Sequence, residues 1–168
     1  MDALKEIIKD QIQQRLVEEG IDRVISCVEK LTLKQLHYTP NSNSNSIVNL
    51  ILHLDGNVRQ WLLAGVFNHD DTRDRNSEFA IQKNLNSKHL LQVLEQLRED
   101  VVSELQNIEA IDLSEKRNVQ CYNETILSMI IHVIEHFSYH TGQITYITKM
   151  LLDIDTKYYD NLDLDQTN

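Results

Sequence analysis

The chain has 168 residues, enough to bury one sizeable core, so a single domain is expected. Apolar residues make up 41% and charged residues 25%, while four glycines and one proline are too few turn formers for a many-stranded β fold. The 26 acidic and 16 basic residues give a net charge of −10, which repels phosphate and argues against nucleic acid and anionic membranes as partners.

Residues 2–36 place Leu4, Ile8, Ile12 and Leu16, then Val24, Val28 and Leu31, at three- and four-residue intervals, which predicts one apolar stripe on a helix. Gly20 interrupts the stripe at a cost of about 1 kcal/mol relative to alanine and marks a place for a kink. "TPNSNSNS", residues 39–46, then ends the helix, because proline and alternating Asn and Ser favour turns and caps. Its last serine, Ser46, stands where an N-cap belongs.

A second helix is expected from Ser46 to Val66, with Ile47, Leu50, Leu54, Val58 and Trp61 as its apolar stripe. Beside that stripe runs a polar one, Asn49, His53, Asn57 and Gln60, which must face either solvent or a polar pocket. Residues 68–86 show no sustained period and read as a long connection, a length that inside a compact domain is often functional. Within it "DTRDRNSEF" has two readings. Arg73 and Arg75 can offer forked donors to an anionic substrate, or they can pair with Asp71, Asp74 and Glu78 and fix the loop, which is the reading favoured here. Trp61 and Phe67 are read as core or interface aromatics.

The third helix, 87–109, carries Leu90, Leu94, Leu97, Val101, Leu105 and Ile108 and is capped by Asn86 or Ser87. After a polar crossover at 110–121, a fourth helix runs from Asn123 to Leu152 with Ile126, Ile130, Val133, Phe137, Ile144 and Leu151 on its core face. Four amphipathic helices and no credible strand predict an all-α four-helix bundle over 1–152. Residues 153–168 contain five aspartates and one lysine and are expected to form an acidic, solvated tail. Cys27 and Cys121 form no C-x-x-C pair and are expected as free thiols of a reducing compartment. The charged amphipathic N-terminus lacks a signal-peptide core, and no apolar run approaches about 18 residues, so a cytoplasmic protein is expected.

In "HVIEHFSYHTGQ", residues 132–143, His132, His136, His140 and Gln143 form one polar row bordering the core face, because positions four apart on a helix lie one above the other. Histidines at i and i+4 are the spacing by which one helix gives two imidazoles to one metal ion, whereas i and i+8 is too far. Two adjacent members of the row can therefore chelate, and the third does something else. Another helix must add a ligand, and His53 alone among the remaining histidines lies mid-helix beside a core stripe. Three neutral imidazoles on zinc or nickel leave a position open, the catalytic arrangement. Gly142 is expected to admit a backbone or a ligand, and His37, His69 and His89 are read as surface residues. Glu135 points away from the row by about 100°, which disfavours a metalloprotease-like base there.

"NSIVNLILHLDGNVRQWLLAGV", "DTRDRNSEF" and "HVIEHFSYHTGQITYITK" resemble the DinB-like (YfiT-like) metal-binding bundles, over roughly residues 1–152. The resemblance implies a divalent metal held by His53, His136 and His140, with His132 outside the ligand set. Gln143, Asn57 and Asn49 are the polar residues placed to support ligating rings, with His132 as a further second neighbour of the ion. It also implies a small-molecule substrate, possible low-molecular-weight thiol chemistry of the S-transferase type or hydrolysis, and a homodimer. A non-catalytic metal- or ligand-binding bundle is the remaining alternative. A transferase is preferred over a hydrolase, because no carboxylate is visible on the inward rows to act as a base.

Overall fold

The computed structural model describes residues 3–82, 84–160 and 162–166; residues 1–2 of the expected bundle, residue 83 of the connection, and 161 and 167–168 of the expected tail lie outside them. Four helical rods build the bundle. The first, α1, is α-helical over Ala3–Gln11, π-helical over Ile12–Ile21 and α-helical again over Asp22–Lys30. Gly20 lies in the π-helical stretch. The rod stops at Leu31, where the backbone turns extended, and Thr32 starts a separate turn, Leu33–Leu36, through a capping box with Gln35.

The second rod, α2, runs Ile47–Val58 and continues as π-helix over Arg59–Ala64. Ser46 caps it as the sequence predicts: its hydroxyl accepts from the Asn49 backbone, and Asn49 closes the capping box. The third, α3, spans Ser87–Glu104 with Asn86 as N-cap and ends in a 3₁₀ segment, Leu105–Ala110. The fourth, α4, spans Ile126–Leu152 behind the N-cap Thr125 and closes on Asp153 in the left-handed conformation.

The expected apolar stripes meet in one core. Ile12, Leu16 and Val28 of α1, Leu54 and Val58 of α2, Leu94 and Leu97 of α3, and Val133, Phe137 and Ile144 of α4 are almost fully removed from water. Each such side chain contributes roughly 1.5–3 kcal/mol of transfer free energy. Between rods, Arg59 bridges Asp55 and Asp100, both at 2.8 Å, and Arg98 bonds Asp22. Leu4, the first member of the α1 stripe, is 51% exposed beyond the end of the packed core.

One element departs from the sequence expectation. The polar crossover contains an antiparallel hairpin of β1, Lys116–Val119, and β2, Tyr122–Thr125, in register Lys116 to Thr125 and Val119 to Tyr122. Only Val119 of this hairpin is buried, so no apolar alternation signals it. Arg117 moors it to the end of α2 by donating to the Val66 carbonyl at 2.8 Å and to Asn68 Oδ1 at 3.0 Å. Gln120, first of the two turn residues, has φ 52°, the region such two-residue turns require and that glycine usually supplies.

Beyond α4, Tyr158 turns back onto the bundle, its hydroxyl 3.3 Å from Cys27 Sγ and 3.1 Å from Thr145 Oγ1. Burial and the Cys27 contact push that phenol up to about 12. Cys27 is buried, Cys121 is exposed, and both are free. Among the described residues no helix is long and apolar enough to cross a membrane.

Candidate metal centre

α2 and α4 pack against each other, and the polar row of each meets the other at their border. His53 from α2 and His136 and His140 from α4 converge so that one ligand nitrogen from each lies within 4.8 Å of the others. Ring centroids are 4.9 Å apart for His53 and His136, 5.1 Å for His53 and His140, and 4.6 Å for His136 and His140. The planes stand 72–89° to one another, so the three rings meet edge-on around one point instead of stacking. His132, one turn earlier on α4, is set apart. It stacks on Trp61 at 4.0 Å and on His136 at 5.4 Å, with Asn57 Nδ2 at 3.4 Å from its Nε2.

The polar stripe of α2 faces a pocket made by the long connection. Asp74 caps a short helical turn, Arg75–Glu78, by accepting from the Asn76 and Ser77 backbones, which turns Glu78 inward. Glu78 is 5% exposed and its Oε2 lies 2.8 Å from His53 Nδ1. Arg73 grips the same carboxylate, Nε to Oε1 at 2.6 Å and Nη2 to Oε2 at 2.9 Å. Asn49 ties the loop down by donating to the backbone carbonyls of Glu78 and Ala80. Gln60 accepts from Arg73 and donates to Asp71. Gly56 makes the approach possible, since a Cβ there would stand 2.2 Å from Glu78 Oε1 and 3.1 Å from Arg73 Nε.

These partners fix the tautomers. A carboxylate only accepts, so His53 donates from Nδ1 to Glu78 and keeps a lone pair on Nε2. Arg73 Nη2 lies 3.2 Å from the same ring nitrogen but gives its proton to the carboxylate. His140 likewise donates from Nδ1 to Gln143 Oε1 at 2.8 Å, leaving its Nε2 bare. His136 Nε2 stands 2.9 Å from His53 Nε2, so in the metal-free chain it donates to His53.

Burial holds all three rings neutral. His53 is lowered by burial even though Glu78 pulls the other way, and His140 is lowered by burial against the opposing Gln143 bond. His136 falls to about 3, first through burial and then through the neighbouring histidines and Arg73. His132 is lowered too, again by burial first. Neutral imidazoles are the form a metal needs. The nitrogens around a four-coordinate zinc stand about 3.3 Å apart, given Zn–N bonds of 2.0–2.1 Å. That spacing falls between the 2.9 Å contact and the 4.8 Å limit found here, so the donor set fits an ion of that kind.

A cleft of about 360 Å³ opens beside the histidines, bordered by His53, His136 and His132, by Trp61 and Asn57 of α2, and by Tyr122 and Glu124 of the hairpin. Asn57 Oδ1 is buried without a hydrogen-bond partner among the described residues, an acceptor left unused beside the imidazoles.

His53, His136, His140, His132, Asn57 and Gln143, expected near one another from the sequence, stand together where α2 and α4 meet. It pairs Gln143 with His140, whereas Asn49 serves the loop backbone. The favoured reading of Arg73, a loop-fixing ion pair, matches the Glu78 contact; Arg75 instead lies over the Phe79 ring at 5.1 Å. Glu78, expected as a loop-fixing partner of the arginines, also bonds His53, which the sequence does not signal, because it sits in an aperiodic loop 25 residues away. Glu124 sits in the unforeseen hairpin. Trp61, read as a core aromatic, is 5% exposed and also walls the cleft. Gly142 has nothing within 4 Å of where a Cβ would stand, so no backbone approaches there. His37, read as a surface residue, is half-buried and bonds the Leu85 carbonyl at 2.8 Å.

The chain is a helical bundle with a DinB-like fold, and it brings three imidazoles from two helices to one point, a site compatible with metal binding. The chain belongs to the family described as protein of unknown function (DUF1572), whose model matches residues 3–162. A DinB-like protein from Bacillus cereus shares the fold at a TM-score of 0.64, with 15% identity over 83% of this chain and 89% of that one. No curated protein matches the chain.

Proposed function

We propose that His53, His136 and His140 hold a zinc or nickel ion, and that the site is that of a metal-dependent enzyme transferring the sulfur of a low-molecular-weight thiol. The observation carrying this reading is the convergence of three neutral imidazoles at the wall of an open cleft. A divalent ion there supplies the Lewis acidity that keeps a thiol deprotonated at neutral pH. The chain's own residues do the rest. Glu78 holds the Nδ1 proton of His53 and Gln143 that of His140, so both rings keep Nε2 for the ion. His132 and Asn57 border the cleft and hold His136 from the other side.

A homodimer of bundles spanning 1–152, each with an acidic tail, is proposed as the working form. Tyr139, Tyr146 and Met150, exposed along α4, are the apolar surface that supports it. A cytoplasmic setting is proposed on the two free cysteines.

Glu124, among the described residues the one carboxylate lining the cleft, favours a second reading, a metal-dependent hydrolase in which it acts as proton acceptor. Cobalt substitution separates the two. Under the transferase reading, a small thiol changes the cobalt spectrum and is transferred to an electrophile only by protein retaining all three histidines. An unchanged spectrum together with hydrolysis of activated esters hands the site to the hydrolase. Silence in both assays with metal bound leaves a non-catalytic metal-binding bundle.

A further inference from the structure

The cleft beside the histidines is charged on two sides, and neither charge is spent within the protein. On the hairpin side Glu124 accepts one hydrogen bond, from Ser128 Oγ at 2.9 Å, and makes no ion pair among the described residues. Next to it the Tyr122 ring, 51% exposed, borders the same space, backed by Trp61 at 5.8 Å, whose own ring is covered by His132. A carboxylate beside an open aromatic ring recognises an ammonium group, through charge on one side and the ring quadrupole on the other. Across the cleft stands Arg75, which also has no ion pair among the described residues and rests over Phe79. Arg73, by contrast, is consumed by Glu78. Arg75 would repel a simple cation, and Glu124, on a chain of net charge −10, would repel a simple anion. Only a ligand with both charges is complementary to both walls.

We propose that this cleft selects a small zwitterion, its ammonium held by Glu124 and the Tyr122 ring, its anionic group by Arg75, and its reacting end directed to His136. The proposal rests on the reading of the three histidines as a metal-dependent catalytic site for that last placement alone. It also assigns Glu124 to the substrate, a role open to it in the transferase reading, where the cleft need not supply a base.

Trp61 is the sole tryptophan, so its fluorescence reports occupancy of the cleft directly. The full chain is titrated with alanine, ethylamine and propionate, which share a size and differ in charge. Zinc-loaded and chelated protein are both measured, because a carboxylate can itself ligate zinc. The expected order has alanine tightest in both states. Glu124→Gln should weaken alanine and ethylamine about tenfold, the loss of one charged hydrogen bond, and should tighten propionate by removing a like charge. Arg75→Ala should weaken alanine and propionate and tighten ethylamine, which is no longer repelled. Unaltered circular dichroism confirms that each variant is folded, and Ser128→Ala repeats the Glu124 test by freeing that carboxylate without removing it: alanine should still bind tightest. Equal binding of the three probes, no response to any, or a Glu124→Gln loss that is the same for all three would overturn the proposal. Failure of the metal reading would look different, as absent zinc uptake with the charge selectivity of the chelated chain intact.

Discussion

His53 and His140 face the same point from two helices, yet they are held in opposite ways. His53 is locked by a buried charge: Glu78 takes its Nδ1 proton, and Arg73, only 3% exposed at the side chain, neutralises Glu78 with two bonds. His140 is held by the neutral amide of Gln143 one turn along its own helix. The α4 side is therefore preset by helix spacing, which costs the fold nothing beyond forming the helix. The α2 side has to be assembled by a loop arriving from elsewhere in the chain. A carboxylate partner also makes a ligating imidazole more basic than an amide does, so the two ligands differ in strength as well as in origin.

The largest effect should come from breaking the charged side. Glu78→Ala leaves the Arg73 guanidinium buried and unpaired, which costs about 3–5 kcal/mol, read as a lower midpoint in urea unfolding. Glu78→Gln keeps a hydrogen-bond acceptor and should chiefly weaken zinc, by about 10–100-fold in competition with a chelator. Gly56→Ala should act like a weaker Glu78 variant, because its methyl group would displace that carboxylate. A normal zinc affinity in Gly56→Ala would show that the clamp does not support the ligand.

The neutral side should give less. Gln143→Ala removes one partly exposed hydrogen bond and should cost roughly 1 kcal/mol in stability, with a loss in zinc affinity smaller than that of Glu78→Gln. Equal losses in the two variants would erase the contrast between the two sides.

The remaining effect is gradual, a slope with pH. His136 titrates near 3 in the folded chain and near 6.5 when unfolded, so the unfolded state takes up the proton first. The metal-free protein should hold its full stability above about pH 6.5 and lose it progressively as pH falls toward 3. His53 and His140, also lowered by burial, act in the same direction. Urea unfolding of the chelated protein at neutral and mildly acid pH reads the slope, and His136→Gln should flatten it.

Much of this was legible in the residues, and the limits have physical causes. The apolar stripes of Leu90 to Ile108 and of Ile126 to Ile144, and the caps Ser46 and Asn86, follow from helical period and side-chain chemistry, which are local. The i and i+4 histidines were legible for the same reason. The π-helical turns at Ile12–Ile21 and Arg59–Ala64 were not, because shifting the backbone hydrogen bonds leaves the apolar spacing nearly unchanged. The hairpin escaped because Lys116–Thr125 is polar almost throughout and is held by pairing and by Arg117. The bond from His53 to Glu78 escaped because it exists only once the loop has folded onto Gly56 and His53.

The most direct test of the centre is the metal content of protein purified without chelators, wild type beside four histidine variants. About one divalent ion per chain is expected in the wild type. Most of it should be lost in His53→Ala, His136→Ala and His140→Ala, whereas His132→Ala should weaken binding by only about 10–100-fold. A wild-type protein that emerges metal-free and refuses added zinc and nickel would contradict the centre altogether. A His132→Ala loss as severe as that of His140→Ala would contradict the choice of ligands.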